Sequence, residues 1–137
     1  MFTTGFGRYL ILPDPDAGTV TIASVEPLQP GPLLAAAAGV SFAYSAWFDT
    51  VALVPSGPAH KLLLYDLDAR RDAGAIALAG SPGFGTVTPE GDKFYIPVED
   101  SGEVVVIDTR FRRQVGAIKV GAAPLRAVIA GGYGICH

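Results

Sequence analysis

Lys93-Phe94-Tyr95-Ile96-Pro97-Val98 runs through Glu99-Asp100-Ser101-Gly102 into Glu103-Val104-Val105-Val106-Ile107-Asp108. The second run is β-branched and bounded by Ser101-Gly102 on one side and a polar loop on the other, which is the pattern of a strand, and Phe94-Tyr95-Ile96 reads the same way. Just upstream, Pro89-Glu90-Gly91-Asp92 is a tight-turn tetrapeptide between two apolar runs, a hairpin signal. Working outward, the pattern recurs. Pro13, Pro55 and Pro97 stand 42 residues apart, each closing a short apolar run: Leu10-Ile11-Leu12, Ala52-Leu53-Val54 and Phe94-Tyr95-Ile96. Without a gap, Val20, Leu62 and Val104 then align, as do Ile22, Leu64 and Val106, then Ser24, Asp66 and Asp108. Pro82 aligns with Pro124 and Phe84 with Arg126, while Val40 and Phe42 hold those places in the first repeat.

A period of 42 admits two units, a two-helix solenoid repeat or a four-stranded propeller blade. No segment offers about a dozen residues of helical periodicity free of Gly and Pro. Leu33-Leu34-Ala35-Ala36-Ala37-Ala38 has helical propensity, but its repeat partners, Ala75 to Gly80 and Ala117 to Ala122, read as strands, so it is assigned as a strand. The expected fold is therefore all-β: a partial propeller of three four-stranded blades in one domain over 1–137, with repeats at about 8–49, 50–91 and 92–133.

Naming the strands of a blade A (inner) to D (outer), strand B is expected at about 8–13, 51–55 and 93–97, and strand C at 18–24, 60–66 and 103–108. Strand D is expected at 33–37, 74–78 and 115–119, and strand A at 42–46, 84–88 and 125–130. On this division the first blade lacks an inner strand, and 125–130 is an inner strand without outer ones, free to complete the first blade of a partner. Gly134 to His137 resemble the start of a further strand B. Propellers close at about four to eight blades, so three leave open edges and apolar faces that invite association. Either two copies form a six-bladed ring, or the chain is part of a longer protein.

Composition agrees with this class. Half the residues are hydrophobic, 17% are charged, and Gly (17) and Pro (11) supply abundant turns. That excludes a disordered chain. The net charge of −3 argues against a nucleic-acid partner. Leu33 to Val40, the longest uncharged apolar run, is too short to span a membrane. Met1 to Arg8 lacks the basic and apolar regions of a signal peptide, and the compartment stays open. Cys136 is the one cysteine, so no internal disulfide is expected.

The third repeat carries a family resemblance. Lys93 to Val98, then Ser101-Gly102-Glu103-Val104-Val105-Val106-Ile107-Asp108-Thr109, then Ala117-Ile118-Lys119-Val120-Gly121-Ala122-Ala123-Pro124 resembles the YVTN family of β-propeller repeats. The second repeat keeps Leu64-Tyr65-Asp66 and Gly80-Ser81-Pro82, the first little beyond the Pro13 register, and Val98 replaces the asparagine of the namesake tetrad. The resemblance implies a propeller whose relatives include surface-layer and periplasmic proteins, sugar-lactone hydrolases, and domains that hold modified haem or support electron-transfer enzymes. One fold hosts many activities.

Propeller ligands gather where the B–C and D–A loops meet at one mouth of the channel. That mouth is expected to hold Asp14, Asp16, His60, Ser81, Glu99, Asp100 and Arg126. Asp14, Asp16, Glu99 and Asp100 suit a hard cation such as Ca²⁺. The preferred alternative is that Asp-Pro-Asp-Ala-Gly and Glu-Asp-Ser-Gly are hairpin loops whose carboxylates satisfy turn amides. His60 is a candidate base or metal ligand, though a lone loop histidine is more often neither. Arg126 either faces the channel and binds an anion or is capped by a loop carboxylate. Asp66 and Asp108 are assigned to sealing the C–D turns by accepting backbone N–H bonds, and Arg110-Phe111-Arg112-Arg113 to a solvated C–D loop. Cys136-His137 lacks the rest of a haem-attachment motif, and the chain has too few Cys and His for a zinc site. No G-x-S-x-G, P-loop lysine or H-E-x-x-H is present. No catalytic residue, metal ligand or cofactor is assigned. The expected function is a non-enzymatic binding or scaffolding module that assembles with another chain or domain, or with itself, through its open edges. The alternatives are a metal-dependent lactonase-like hydrolase, a haem or electron-transfer support domain, and a truncated product with no function of its own.

Overall fold

The computed structural model describes residues 1–130, which form three four-stranded antiparallel sheets. The first holds β1 (Phe2–Thr3), β2 (Tyr9–Asp14), β3 (Thr19–Ser24) and β4 (Leu33–Ala35), in that order. The second holds β5 (Tyr44–Ala46), β6 (Val51–Ser56), β7 (Lys61–Asp66) and β8 (Arg71–Ala77). The third holds β9 (Thr86–Val87), β10 (Lys93–Val98), β11 (Glu103–Asp108) and β12 (Arg113–Lys119). A single 3₁₀ turn, Glu99–Ser101, joins β10 to β11. This is the expected partial propeller, and the Leu33 run is a strand as assigned.

The period governs the register as well as the order. Pro13, Pro55 and Pro97 pair with Val20, Leu62 and Val104, next to the end of each central ladder. Register shifts between Leu64 and Tyr65 and between Val106 and Ile107 place Gly74 and Gly116 opposite Leu64 and Val106. In the first blade Pro32 stands where those glycines do; lacking an N–H, it cannot extend the ladder, and β4 begins only at Leu33.

Two expectations about inner strands are overturned. The first blade has one: Phe2 pairs with Ile11 and Thr3 with Leu10, one period before Tyr44 with Leu53 and Ser45 with Ala52. Two residues are too few to show an alternating pattern, so only the register carried back from β5 reveals β1. Conversely, 125–130 forms no strand. It makes one parallel bridge, with Phe84 N–H donating to Leu125 O (3.0 Å) and Ala127 N–H to Phe84 O (2.9 Å). Among the described residues it has no antiparallel ladder to join. Because β1 occupies the inner edge of the first blade, no vacancy remains there for a partner's 125–130 to fill. Gly134 to His137, and the end of the third repeat, lie outside the described residues.

Burial follows from blade order. In the middle blade Val51, Ala52, Leu53 and Val54 are all buried, because both faces of β6 meet a neighbour. One core between the first two blades gathers Ile11, Val20 and Ile22 against Ala52, Val54, Tyr65 and Leu67. A second joins Leu53, Leu62 and Leu64 to Phe94, Ile96, Val105 and Ile107. In the end blades burial centres on alternate residues, Ile11, Val20 and Ile22 in the first and Phe94, Ile96, Val105 and Ile107 in the third, joined by Ala23, Ser24 and Pro97.

Candidate functional site

The B–C and D–A loops do meet at one end of the blades. Ala36 N–H bonds Gly18 O, Gly39 N–H bonds Pro15 O, Leu78 N–H bonds His60 O, and Gly83 N–H bonds Pro97 O. Ser56 Oγ donates to Ala38 O at 2.7 Å and accepts Ala59 N–H. Loops of neighbouring blades are thereby tied together above the ends of β2, β6 and β10.

Within this mouth the candidate residues divide. Asp14 Oδ1 accepts the N–H groups of Asp16 (3.0 Å) and Ala17 (2.9 Å), closing its own hairpin. Asp100 Oδ2 accepts Ser81 N–H at 2.8 Å, which brings those two candidates together across a D–A loop. The approach is close enough that a Cβ on Gly80 would lie 2.4 Å from Asp100 Oδ2. Glu99 and Asp16 are exposed. His60 is exposed on a left-handed backbone (φ 51°), and no side-chain hydrogen bond joins it to a serine or a carboxylate among the described residues. Among the described residues, no group of three or more His, Cys, Asp or Glu side chains is placed to hold a metal.

Arg126 is exposed, with its guanidinium carbon 5.3 Å from the Phe84 ring centroid. It ends a line of aromatics that runs from the inner edge of the blades into the core: Phe2 against Phe42 (4.5 Å), Phe42 against Phe84 edge-on (5.6 Å), and Tyr44 against both Phe42 (4.9 Å) and the buried Phe94 (4.8 Å). A cavity of about 260 Å³ opens among Phe42, Tyr44, Phe84, Thr86 and Arg126. Burial raises the Tyr44 hydroxyl pKa, opposed by Gly85 N–H, which donates to it, and by the charge of Arg126. This aromatic line can stack flat apolar groups and offer one hydroxyl and one cation. Phe42 and Phe84 were legible as repeat positions of Arg126; their mutual contact was not.

The opposite end is an ionic seam. Asp66 Oδ1 accepts Ala69 N–H, and Asp108 Oδ1 accepts Arg110 and Phe111 N–H, so both carboxylates seal their C–D turns as assigned. Arg112 reaches from the third blade to Thr50 O and Asp66 Oδ2 of the second, both at 3.1 Å. Arg8 binds Asp68 Oδ1 at 3.0 Å, and Tyr9 donates its hydroxyl to the same oxygen at 2.7 Å. Burial and the Asp68 carboxylate raise the Tyr9 pKa. Arg110 lies 5.2 Å from the Trp47 ring. The Arg110-to-Arg113 run is an exposed C–D loop as assigned, with Arg112 turned to the second blade and Arg110 over Trp47.

With the geometry in place, the comparisons bear on the fold. A Kuenenia stuttgartiensis hydrazine synthase structure matches 90% of this chain at TM-score 0.76 and 14% identity. The chain is a partial β-propeller. A Citrobacter koseri AztD structure matches 98% of it at 0.74 and 16% identity, and the WD40 repeats of RRP9 match 86% at 0.71 and 10% identity. The matches cover 36%, 38% and 37% of those chains, so this chain spans little more than a third of each. At such identities the likeness is one of fold alone. No family model and no curated protein sequence matches the chain. No helix among the described residues is long and apolar enough to cross a membrane.

Proposed function

We propose that this chain is a non-enzymatic binding module of the YVTN propeller kind that works by docking blade faces, in its simplest form those of a second copy. The supporting observation is the pair of outer blade faces, the first carrying exposed leucines and the third met in part by this chain's own Ala127, Val128 and Ile129. On the first blade, Leu12, Thr21 and Leu33 form one cross-strand row, and Thr3, Leu10 and Ala23 another. Leu12 and Leu33 are 37% and 71% exposed. On the third blade the rows are Pro97, Val104 and Ile118, and Thr86, Tyr95 and Val106, with Ile118 half exposed and Pro97 buried.

These two faces are the halves of one repeated interface. Leu10, Leu12, Thr21 and Ala23 are the period equivalents of Ala52, Val54, Leu63 and Tyr65, which receive the first blade. Tyr95, Pro97, Val104 and Val106 are equivalents of Leu53, Pro55, Leu62 and Leu64, which receive the third. A head-to-tail pair of chains therefore makes two more contacts of the same kind and closes six blades. By the period, closure sets the partner's β1 where Val128 and Ile129 now lie beside Thr86, Tyr95 and Val104, so residues 125–130 must move aside. The whole molecule is taken as one domain in this reading.

Light scattering on the purified chain tests it. The expected mass is twice 14.2 kDa, falling to the monomer when Val104→Arg charges the third blade's face. A stable monomer at high concentration, or a polydisperse aggregate, overturns the ring. The aromatic line is the module's ligand surface in this reading, with Arg126 at its edge. The loop residues Asp14, Asp16, His60, Ser81, Glu99 and Asp100 frame the mouth above it.

A further inference from the structure

The 42-residue period shows a place where an interblade ion pair has lost its acid. Arg112 and Arg70 are one period apart, at the same turn position, both left-handed (φ 56° and 50°). Arg112 spans the second and third blades by holding Asp66 Oδ2 and Thr50 O. The equivalents for Arg70 are Ser24 and Arg8 O. Arg70 reaches the first blade in the same way: its Cδ lies 3.5 Å from where a Cβ on Gly31 would stand. Ser24 brings no charge to pair with it, and its hydroxyl donates to Pro27 O at 2.8 Å. Among the described residues, Arg70 makes no ion pair and no hydrogen bond.

What replaces the missing carboxylate is space. A cavity of about 480 Å³ is lined by Phe6, Arg8, Tyr9, Ser24, Glu26 and Arg70, among others, a volume within the range of small-molecule sites. We infer that this cavity is a binding site for a small organic monocarboxylate, whose carboxylate takes the seat that Asp66 fills beside Arg112. A guanidinium fork matches a planar carboxylate in two-point geometry. Phe6, Tyr9 and Pro27 supply an apolar wall for the remainder of the ligand. The other charges narrow the class. Arg8 is already neutralised by Asp68 at 3.0 Å. Glu26, exposed and in no ion pair among the described residues, lines the same cavity and disfavours a ligand that brings more than one negative charge.

The site lies at the far end of the blades from the loop mouth and is independent of the ring. The test is an amide chemical-shift titration of the full chain with propionate at neutral pH, at ionic strength matched with sodium chloride. Saturable shifts are expected at Ser24, Gln29 and Arg70. Arg70→Gln is expected to weaken binding about tenfold or more, the scale of a lost charge-assisted bond. Ser24→Asp, which returns the carboxylate, should block the site equally; if that buried position resists the change, Arg70→Gln decides alone. Shifts that never saturate, that chloride reproduces, or that survive Arg70→Gln overturn the site. Succinate binding as tightly as propionate overturns the role of Glu26.

Discussion

Removing either partner of the Asp66–Arg112 pair should loosen the joint between the second and third blades by an amount the structure sets. The side chains are 25% and 27% exposed, between a surface pair and a buried one. Exposed pairs contribute about 0–1 kcal/mol, whereas breaking a buried pair costs about 3–5 kcal/mol. Asp66→Ala also removes the carboxylate that accepts Ala69 N–H at the exposed turn, so about 1–2 kcal/mol is expected for it, with an Asp66–Arg112 coupling of about 1 kcal/mol. The assay is urea unfolding of the wild type, both single variants and the double variant at one protein concentration, since self-association shifts apparent stability. Acid provides the second arm. Burial pushes the Asp66 carboxyl up, but Ala69 N–H and the Arg112 guanidinium outweigh this and hold it below its ordinary value. A carboxyl lowered on folding contributes stability that is whole above its unfolded pKa, about 4, and lost as pH falls through the folded value. The wild type should therefore lose more stability than Asp66→Asn below about pH 4. Zero coupling, or superimposed acid limbs for the two proteins, would refute the reasoning.

Two further predictions use the same unfolding and exchange measurements. Phe94 is fully buried and Phe84 half exposed; Phe94→Ala should cost about 3–5 kcal/mol and Phe84→Ala well under half of that, so equal losses would contradict the blade assignment. A Cβ on Gly83 would lie 2.4 Å from Leu125 O. Gly83→Ala should thus break the Phe84–Arg126 bridge, accelerating amide exchange at Phe84 and Ala127, and unchanged protection there would disprove that contact.

The repeat was legible because a blade must present similar residues to each neighbour. Pro13, Pro55 and Pro97, with the paired Val20, Leu62 and Val104, sit one period apart in sequence and in register. The turn roles of Asp14, Asp66 and Asp108 were legible too, since each bonds amides within three residues of itself. β1 escaped notice because Phe2 and Thr3 are too short to alternate and are defined only by pairing with β2. The fate of 125–130 escaped for the opposite reason: its strand-like residues have no antiparallel neighbour among the described residues, and Leu125 and Ala127 bond Phe84 instead. Of the mouth residues, the Ser81–Asp100 bond joins positions 19 apart on different loops, a closeness no local pattern records.

The amino-acid sequence by itself determined the blade count, the order of the strands and the turn carboxylates, because these depend on period, alternation and bonds within a few residues. Only the tertiary structure decided which faces stay open, that Phe2, Phe42 and Phe84 line one wall, and that Arg70 lacks the acid that Arg112 has. Those facts arise between blades, where residues about a full period apart are brought side by side by the turn of one sheet against the next.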